Sequence, residues 1–331
     1  MSFGDVCFRF KSGWCRGRRD GGDEEKKKVG YGEEAGEYMK NYSAWEPYSG
    51  FPEGSGRSEK IWLINPKTRE TGLFKYKKDV ETTDDVSECI AYQLSNLLDI
   101  PCAKFELGIY QGRKGSMSYN IVNSSREILI EGINFINVRY PHYDADLFFD
   151  KESQDVYSVE MADNILKDVI NFKYFLNMLM FDFLIGNSDR HQSNWAIICN
   201  DKKEIRFSPL YDNGSSLCAY IKEEQIDSYL GKDKKRWGAL VDTKSRSLIR
   251  CGKRDKKRPT HLDMIKYLYE TYFDETEEFA QKIVESLTKD SIYDALNQYS
   301  EDELTRKKKE LIFRFLQAKV ELLQKVYFGR E

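Results

Sequence analysis

Histidine is scarce in this sequence, three in 331 residues, and no two of its seven cysteines stand in C-x-x-C spacing. Too few ligands remain for an ordinary zinc site. An odd number of scattered cysteines, from Cys7 to Cys251, does not build a disulfide framework and suits a reducing compartment. Long apolar runs are missing too. The most apolar stretch, Phe172 to Ile185, contains Lys173 and Asp182 and is too short to span a bilayer. Arg16, Arg18, Arg19 and Asp20 interrupt any apolar leader. Nor is there an excess of positive charge. A net charge of −3 and a pI of about 5.9 argue against a dedicated binder of nucleic acid or acidic membrane. The expectation is a soluble cytoplasmic protein.

Against these absences stand a 40% hydrophobic and a 14% aromatic content, enough in a chain of this length for two lobes with their own cores. Residues 1–45 carry the low-complexity run Gly21-Gly-Asp-Glu-Glu-Lys-Lys-Lys28 and no apolar period. A disordered tail is expected there, with structure beginning near Trp45. From 60 to 131 the pattern is that of strands. Lys60–Ile64 and Gly72–Tyr76 flank a turn at Asn65–Thr68, Lys104–Tyr110 and Gly115–Val122 flank a turn at Gln111–Lys114, and Glu127–Glu131 adds a strand. One helix interrupts them, since Val86, Ile90, Leu94 and Leu97 recur at steps of four, four and three. Beyond 150 the periodicity turns helical. Ile165, Val169, Phe172, Leu176, Leu179 and Phe183 predict one buried helix. Residues 220–258 are charged and poorly periodic, and Pro259-Thr260 signals the start of the C-terminal helices, 259–328. The fold class expected is α+β, in two lobes. A small β-rich lobe with one helix covers 46–135, and a larger, mainly helical lobe covers 136–331.

Between the buried helix and the final helices lies Asp189-Arg-His-Gln-Ser-Asn194, followed 18 residues later by Asp212-Asn-Gly214. Phosphoryl transfer needs one acidic group to orient and deprotonate an attacking hydroxyl, and an amide oxygen and a second carboxylate to hold magnesium. The catalytic loop 186–195 supplies the first two and the metal motif 212–214 the third. A predicted hairpin, Trp195–Cys199 and Glu204–Ser208 about a turn at Asn200–Lys203, carries the chain away and back. Asp189 is then the base, and Asn194 and Asp212 are hard oxygen ligands suited to Mg²⁺. Gly214 lets the backbone turn sharply after the metal ligand. His191 braces the loop by hydrogen bonds, and Arg190 either does the same or neutralises a nearby anion. The competing reading is ordinary loop chemistry, because Asp and Asn favour turns.

Three further features complete a nucleotide site. Lys75, on the strand Gly72–Tyr76, is the candidate phosphate-binding lysine. Strand alternation points Lys77 the same way, and Lys75 is preferred because it lies deeper in the apolar strand. Glu88 on the following helix is its expected ion-pair partner. Asp85-Val-Ser-Glu88 also resembles a capping box, which would fold Glu88 back onto the helix start. Glu53-Gly-Ser-Gly-Arg-Ser58 precedes the lysine strand, so Gly54, Ser55, Gly56 and Ser58 are either a phosphate-covering loop or a flexible connector. The basic run Lys253-Arg-Asp-Lys-Lys-Arg258 reads as a solvated loop, with an acidic substrate or nucleic acid as the functional alternative.

Leu184-Ile-Gly-Asn-Ser-Asp-Arg-His-Gln-Ser-Asn-Trp195, taken with Phe207-Ser-Pro-Leu-Tyr-Asp-Asn-Gly-Ser-Ser216, closely resembles the HipA-like serine/threonine protein kinases in their compact form. The likeness covers about residues 50–330 and is strongest at 181–217. It implies Asp189 as catalytic aspartate, Asn194 and Asp212 as magnesium ligands, and Lys75 on the α-phosphate side of ATP with Glu88 as partner. It implies the Gly54–Ser58 loop over the phosphates and adenine within Tyr119–Ser125. ATP, Mg²⁺ and a protein substrate follow from it, with autophosphorylation at Ser55 or Ser58 and a small antitoxin-like partner. Two other readings compete. Phosphatidylinositol-type kinases also use Asp-Arg-His-x-x-Asn followed by Asp-x-Gly, which leaves a lipid or small-molecule kinase. A non-catalytic nucleotide-binding module would ordinarily lack the base, a metal ligand or the lysine, and here all are present.

Overall fold

The computed structural model describes residues 39–50, 59–77, 79, 81–123 and 126–329. Its small lobe is a six-stranded sheet: β1 (Lys40–Asn41), β2 (Glu46–Pro47), β3 (Lys60–Ile64), β4 (Thr71–Tyr76), β5 (Phe105–Tyr110) and β6 (Arg113–Tyr119), in the order β1-β5-β6-β4-β3-β2. The β3–β4 turn closes because the Asn65 side chain accepts the N–H groups of Lys67 and Thr68. The β5–β6 turn is tighter than the four residues expected. Gln111 and Gly112 both take positive φ, at 49° and 77°, matching the twist of a two-residue hairpin. On one face of the sheet Phe74 and Met117 pack with Tyr42, Leu63 and Tyr110. On the other lies helix α1 (Asp84–Leu97), whose Val86, Ile90 and Leu94 meet Phe105 and Leu107 in the main core.

Ordered structure thus starts before Trp45, because β1 pairs in parallel with β5 and Tyr42 is 1% exposed under the sheet. The lobe boundary at 135 also shifts. β7 (Glu127–Glu131) pairs with β10 (Ala196–Asn200), which pairs with β11 (Ile205–Phe207), so the last strand assigned to the small lobe joins the β10–β11 hairpin of the large one. Helix α2 (Gly132–Arg139) and the short β8 (Tyr143–Asp144) and β9 (Phe149–Asp150) follow.

The single helix expected over 165–183 is two. α3 (Val159–Leu166) ends in a turn, and α4 (Lys173–Ile185) starts afresh where the Asn171 side chain accepts the Lys173 N–H. The apolar period survives the break because both pieces face one core. α4 is buried on all sides from Phe175 to Ile185 except at Asn177, as a helix apolar all round must be. Gly186 ends it at φ 71°, where a Cβ would lie 2.7 Å from the Phe315 ring. The charged stretch after 220 holds α5 (Glu223–Leu230), α6 (Lys234–Gly238) and a π-helical turn. Four helices close the lobe: α7 (His261–Thr271), α8 (Phe273–Ser286), α9 (Lys289–Asn297) and α10 (Arg306–Phe328). Thr260 caps α7 in a reciprocal box with Asp263, where the start signal was expected.

Candidate active site

A lone carboxylate inside an apolar helix must find a counter-charge. Asp182 of α4 finds Arg190, which is 1% exposed, through Nε at 2.9 Å and Nη2 at 2.6 Å. The same guanidinium donates to the Asn194 carbonyl at 2.9 Å, the Tyr211 carbonyl at 2.7 Å and Asn213 Oδ1 at 2.7 Å. One buried cation therefore ties the core helix, the loop 186–195 and the segment 211–213 together. Asn187 completes the brace, donating to Asp182 Oδ1 and accepting the Asp189 N–H. Arg190 performs both roles considered for it, bracing the loop and neutralising the buried Asp182 carboxylate. Asp182, Asn187 and Asn213 were not singled out from the sequence, although the isolated charge in Phe172–Ile185 was a usable signal.

On this frame the Asp189 side chain is exposed and Asn194 is 5% exposed. Asn194 Nδ2 donates to the Asp189 carbonyl at 3.0 Å, which leaves Oδ1 as the amide atom available to a ligand. His191 braces the turn locally, its Nδ1 accepting the Ser193 N–H at 3.2 Å. A deeper brace comes from His261 of α7, whose Nε2 lies 3.0 Å from the Asn187 carbonyl.

The small lobe reaches the same place. Lys75 Nζ lies 3.0 Å from Glu88 Oε1 and 2.9 Å from Asp212 Oδ1. Glu88 is no capping residue. α1 begins at Thr83 without a side-chain cap, and Glu88 Oε2 accepts the Asn213 N–H at 2.8 Å. Glu88 thus binds the lysine with one oxygen and the segment 211–213 with the other. Alternation left Lys77 open, and it pairs with Asp85, one turn earlier on the same helix face. The sharp turn expected at Gly214 occurs at Asp212 itself, with φ 56°. Gly214 instead lies against the start of α1, where a Cβ would sit 3.3 Å from the Asp84 carbonyl oxygen, a tight contact.

The charges order themselves by neighbour. Lys75 holds the Asp212 carboxyl down to about 2, against the opposing effect of burial. Burial works against the Lys75 ammonium, but Glu88 and Asp212 outweigh it and raise its pKa above the usual lysine range. Burial raises the Asp189 carboxyl above its ordinary value; His191 pulls it back and Asp212 pushes it further up. The two carboxylates are thus pushed apart, Asp212 down and Asp189 up.

Two expectations fall elsewhere. Gly54, Ser55, Gly56 and Ser58 lie outside the described residues, as do Ser124 and Ser125 of the expected adenine segment. Within that segment Tyr119 faces away from Lys75. It stands opposite Gly72 on the Phe74 face of the sheet, and its hydroxyl bonds Glu106 and Tyr42. Among the described residues no cluster of three or more His, Cys, Asp or Glu could hold a metal, and no helix is long and apolar enough to cross a membrane.

The fold is similar to that of a solved Helicobacter pylori proinflammatory kinase, CtkA, with TM-score 0.73 and 17% identity, covering 88% of this chain and all of that one. It is also similar to HipA of Shewanella oneidensis, solved with HipB and operator DNA, with TM-score 0.54 and 10% identity over 85% of this chain and 67% of that one. In sequence, 158 residues are 23% identical to the serine/threonine-protein kinase CtkA of H. pylori, an alignment covering 46% of this chain and 45% of that kinase. The family model of the HipA-like C-terminal domain matches residues 53–292. The chain belongs to the HipA-like C-terminal domain family.

Proposed function

We propose that this chain is an ATP- and Mg²⁺-dependent protein serine/threonine kinase. The observation that carries the reading is the contact of Lys75 with both Glu88 and Asp212, which brings a strand, a helix and the metal motif from separate parts of the chain to one point beside Asp189. The donor set suits magnesium. Asp212 stays ionised, the Asn194 amide oxygen is uncommitted, and an ion that shares its shell with phosphates and water needs no all-protein cage. Asn194 and Asp212 would hold it, and the bound ion would supply positive charge to offset that of the phosphates. Lys75, fixed by Glu88, grips the phosphates. Asp189 orients the acceptor hydroxyl and takes its proton, a role suited to a carboxylate that burial makes more basic than usual. Arg190 touches none of the reacting groups and positions all the loops that do.

The CtkA name supports a protein acceptor, and the inositide alternative is met by the same experiment. Purified protein is incubated with γ-labelled ATP, with and without Mg²⁺, against generic protein acceptors and inositides. Label on serine or threonine of protein, only with Mg²⁺, is the expected result. Label on inositide alone refutes the protein assignment. Autophosphorylation at Ser55 or Ser58 is read from phosphopeptides covering residues 50–60, and their absence removes that part of the proposal. An antitoxin-like partner is sought by co-purification with products of adjacent reading frames, and failure to bind any removes it.

A further inference from the structure

Lys319 of α10 has no part in the site described above, yet it is buried behind the catalytic loop. It is 0% exposed, with Nζ 4.8 Å from the centre of the Phe183 ring and 5.2 Å from that of Phe315. Its hydrogen-bond acceptor is the Ser245 hydroxyl, at 3.2 Å. Burial pushes the pKa of this lysine down to about 7, against the pull of Asp242, so the fold bears a cost that an apolar side chain would not impose.

From Ser245 the hydrogen bonds lead to the catalytic loop. Ser245 Oγ lies 2.8 Å from His261 Nδ1, and His261 Nε2 lies 3.0 Å from the Asn187 carbonyl oxygen. Their directions follow from the two ends of the chain. The Asn187 carbonyl can only accept, so His261 carries its proton on Nε2. The ring is 1% exposed, and burial and the charge of Lys319 keep it neutral, which leaves Nδ1 a bare acceptor. The Ser245 hydroxyl therefore donates to Nδ1, while its oxygen accepts from Lys319. A serine hydroxyl rotates to whichever acceptor suits it, and Lys319, by donating to the oxygen, leaves the hydrogen to His261. The backbone fixes the pair as well: the His261 N–H donates to the Ser245 carbonyl at 2.7 Å, and Arg246 bridges Thr260.

At the far end of the chain, geometry decides function. Asn187 accepts the Asp189 N–H on Oδ1 at 3.0 Å and gives its own amide to Asp182. Among the described residues the Asp189 carboxylate accepts no hydrogen bond, so its aim depends on its backbone. A second contact from α10 meets the residue before Asn187. Phe315, one turn before Lys319, packs against Gly186, where a Cβ would lie 2.7 Å from its ring. α10 thus reaches residues 186 and 187 in succession, just ahead of Asp189.

We propose that Lys319 and Ser245 are positioning residues which, through His261, form a directed hydrogen-bond chain that holds Asn187, and with it the Asp189 backbone, in the geometry for phosphoryl transfer. The inference rests on the phosphotransfer reading for what Asp189 does. It does not need the charge of the lysine, since ammonium and amine both donate to Ser245.

The test reads the loop and the turnover separately. The chain has three histidines, so ¹⁵N-histidine labelling gives few ring signals, and those of His261 are identified by their loss in His261→Gln. In wild type Nε2 is protonated and Nδ1 is not. The Nδ1 signal moves in Lys319→Met and Ser245→Ala and returns in Ser245→Thr, which restores the hydroxyl. Hydrogen exchange at the Asp189 amide, measured without ATP, speeds up by about tenfold in the first two variants and stays within about twofold of wild type in the third. Lys319→Met melts no lower than wild type, so the test stands even where Ser245→Ala fails to fold. A protonated Nδ1 in wild type, or unchanged exchange at Asp189 in Lys319→Met, overturns the inference whether or not phosphate is transferred. Exchange that quickens equally throughout the core, with a lower melting temperature, assigns a merely structural role and also overturns it. With transfer, kcat falls by about tenfold in Lys319→Met and Ser245→Ala while the KM for ATP stays within about twofold, and Ser245→Thr recovers kcat. An unchanged kcat in Lys319→Met overturns the inference. The expected exchange results without transfer by wild type overturn the kinase reading and leave the positioning of the loop standing.

Discussion

Replacing Arg190 by Met tests whether one buried cation holds the site together. In the native protein its guanidinium meets Asp182, the carbonyls of Asn194 and Tyr211, and Asn213 Oδ1, all at 2.6–3.2 Å. The Asp182 side chain is 5% exposed, so the substitution leaves a carboxylate uncompensated inside α4. Removing one partner of a buried pair costs about 3–5 kcal/mol. For a chain of this size each kcal/mol lowers the melting temperature by roughly 2 °C, so a drop of roughly 6–10 °C is expected. The double variant Asp182→Leu/Arg190→Met removes both charges and should recover about half of the loss, because buried pairs replaced by apolar side chains are close to neutral. The three other acceptors stay unpaired, so activity is not recovered even where stability is. Thermal unfolding of the two single variants and the double gives the coupling energy directly. A drop under about 2 °C for Arg190→Met, or a double variant whose loss equals the sum of the singles, refutes the reasoning.

Other expectations follow from the same geometry. Glu88→Gln weakens the hold on Lys75 but keeps an acceptor for the Asn213 N–H, so kcat/KM for ATP should fall by about tenfold or more with little loss of stability, read from steady-state kinetics and melting. In the pH–rate profile, activity is lost as pH falls through the pKa of Asp189, above the ordinary 3.8, while Asp212 at about 2 remains ionised; an acid limb with a midpoint below 3.8 contradicts this. Lys319 of α10 is buried against Phe183 and Phe315, and its pKa is pushed down by burial to about 7 from 10.5. The unfolded chain binds that proton up to higher pH than the folded one, so this group's contribution to stability falls as pH drops from about 10 to 7 and then levels off. Lys319→Met should therefore raise the melting temperature by several degrees at pH 7 and by less at pH 10; an equal change at both pH values is the contrary result.

The site was more legible in the sequence than its supports. Asp189, Asn194 and Asp212 announce themselves because their chemistry fixes residue type and spacing over a short span. The strands on either side of Asn65 and Gln111 are equally local. What escaped depends on partners far away in the chain. Lys40 pairs beside Gly108, and Glu131 opposite Ala196, so neither the start of the small lobe nor its end can be read from period-two alternation. The break between α3 and α4 hides because Ile165 and Phe172 face the same core on both sides of it. Gly214 shows the limit of arguing from residue type. The positive φ falls on Asp212, and the glycine lies against Asp84, a contact that only tertiary structure reveals.

Transfer of labelled phosphate by wild type and by Asp189→Asn tests the central claim most directly. The substitution keeps the shape and removes the proton acceptor, so the variant should melt within about 2 °C of wild type and bind ATP while transfer to serine or threonine falls by at least about a hundredfold. Undiminished transfer by the folded variant contradicts the account.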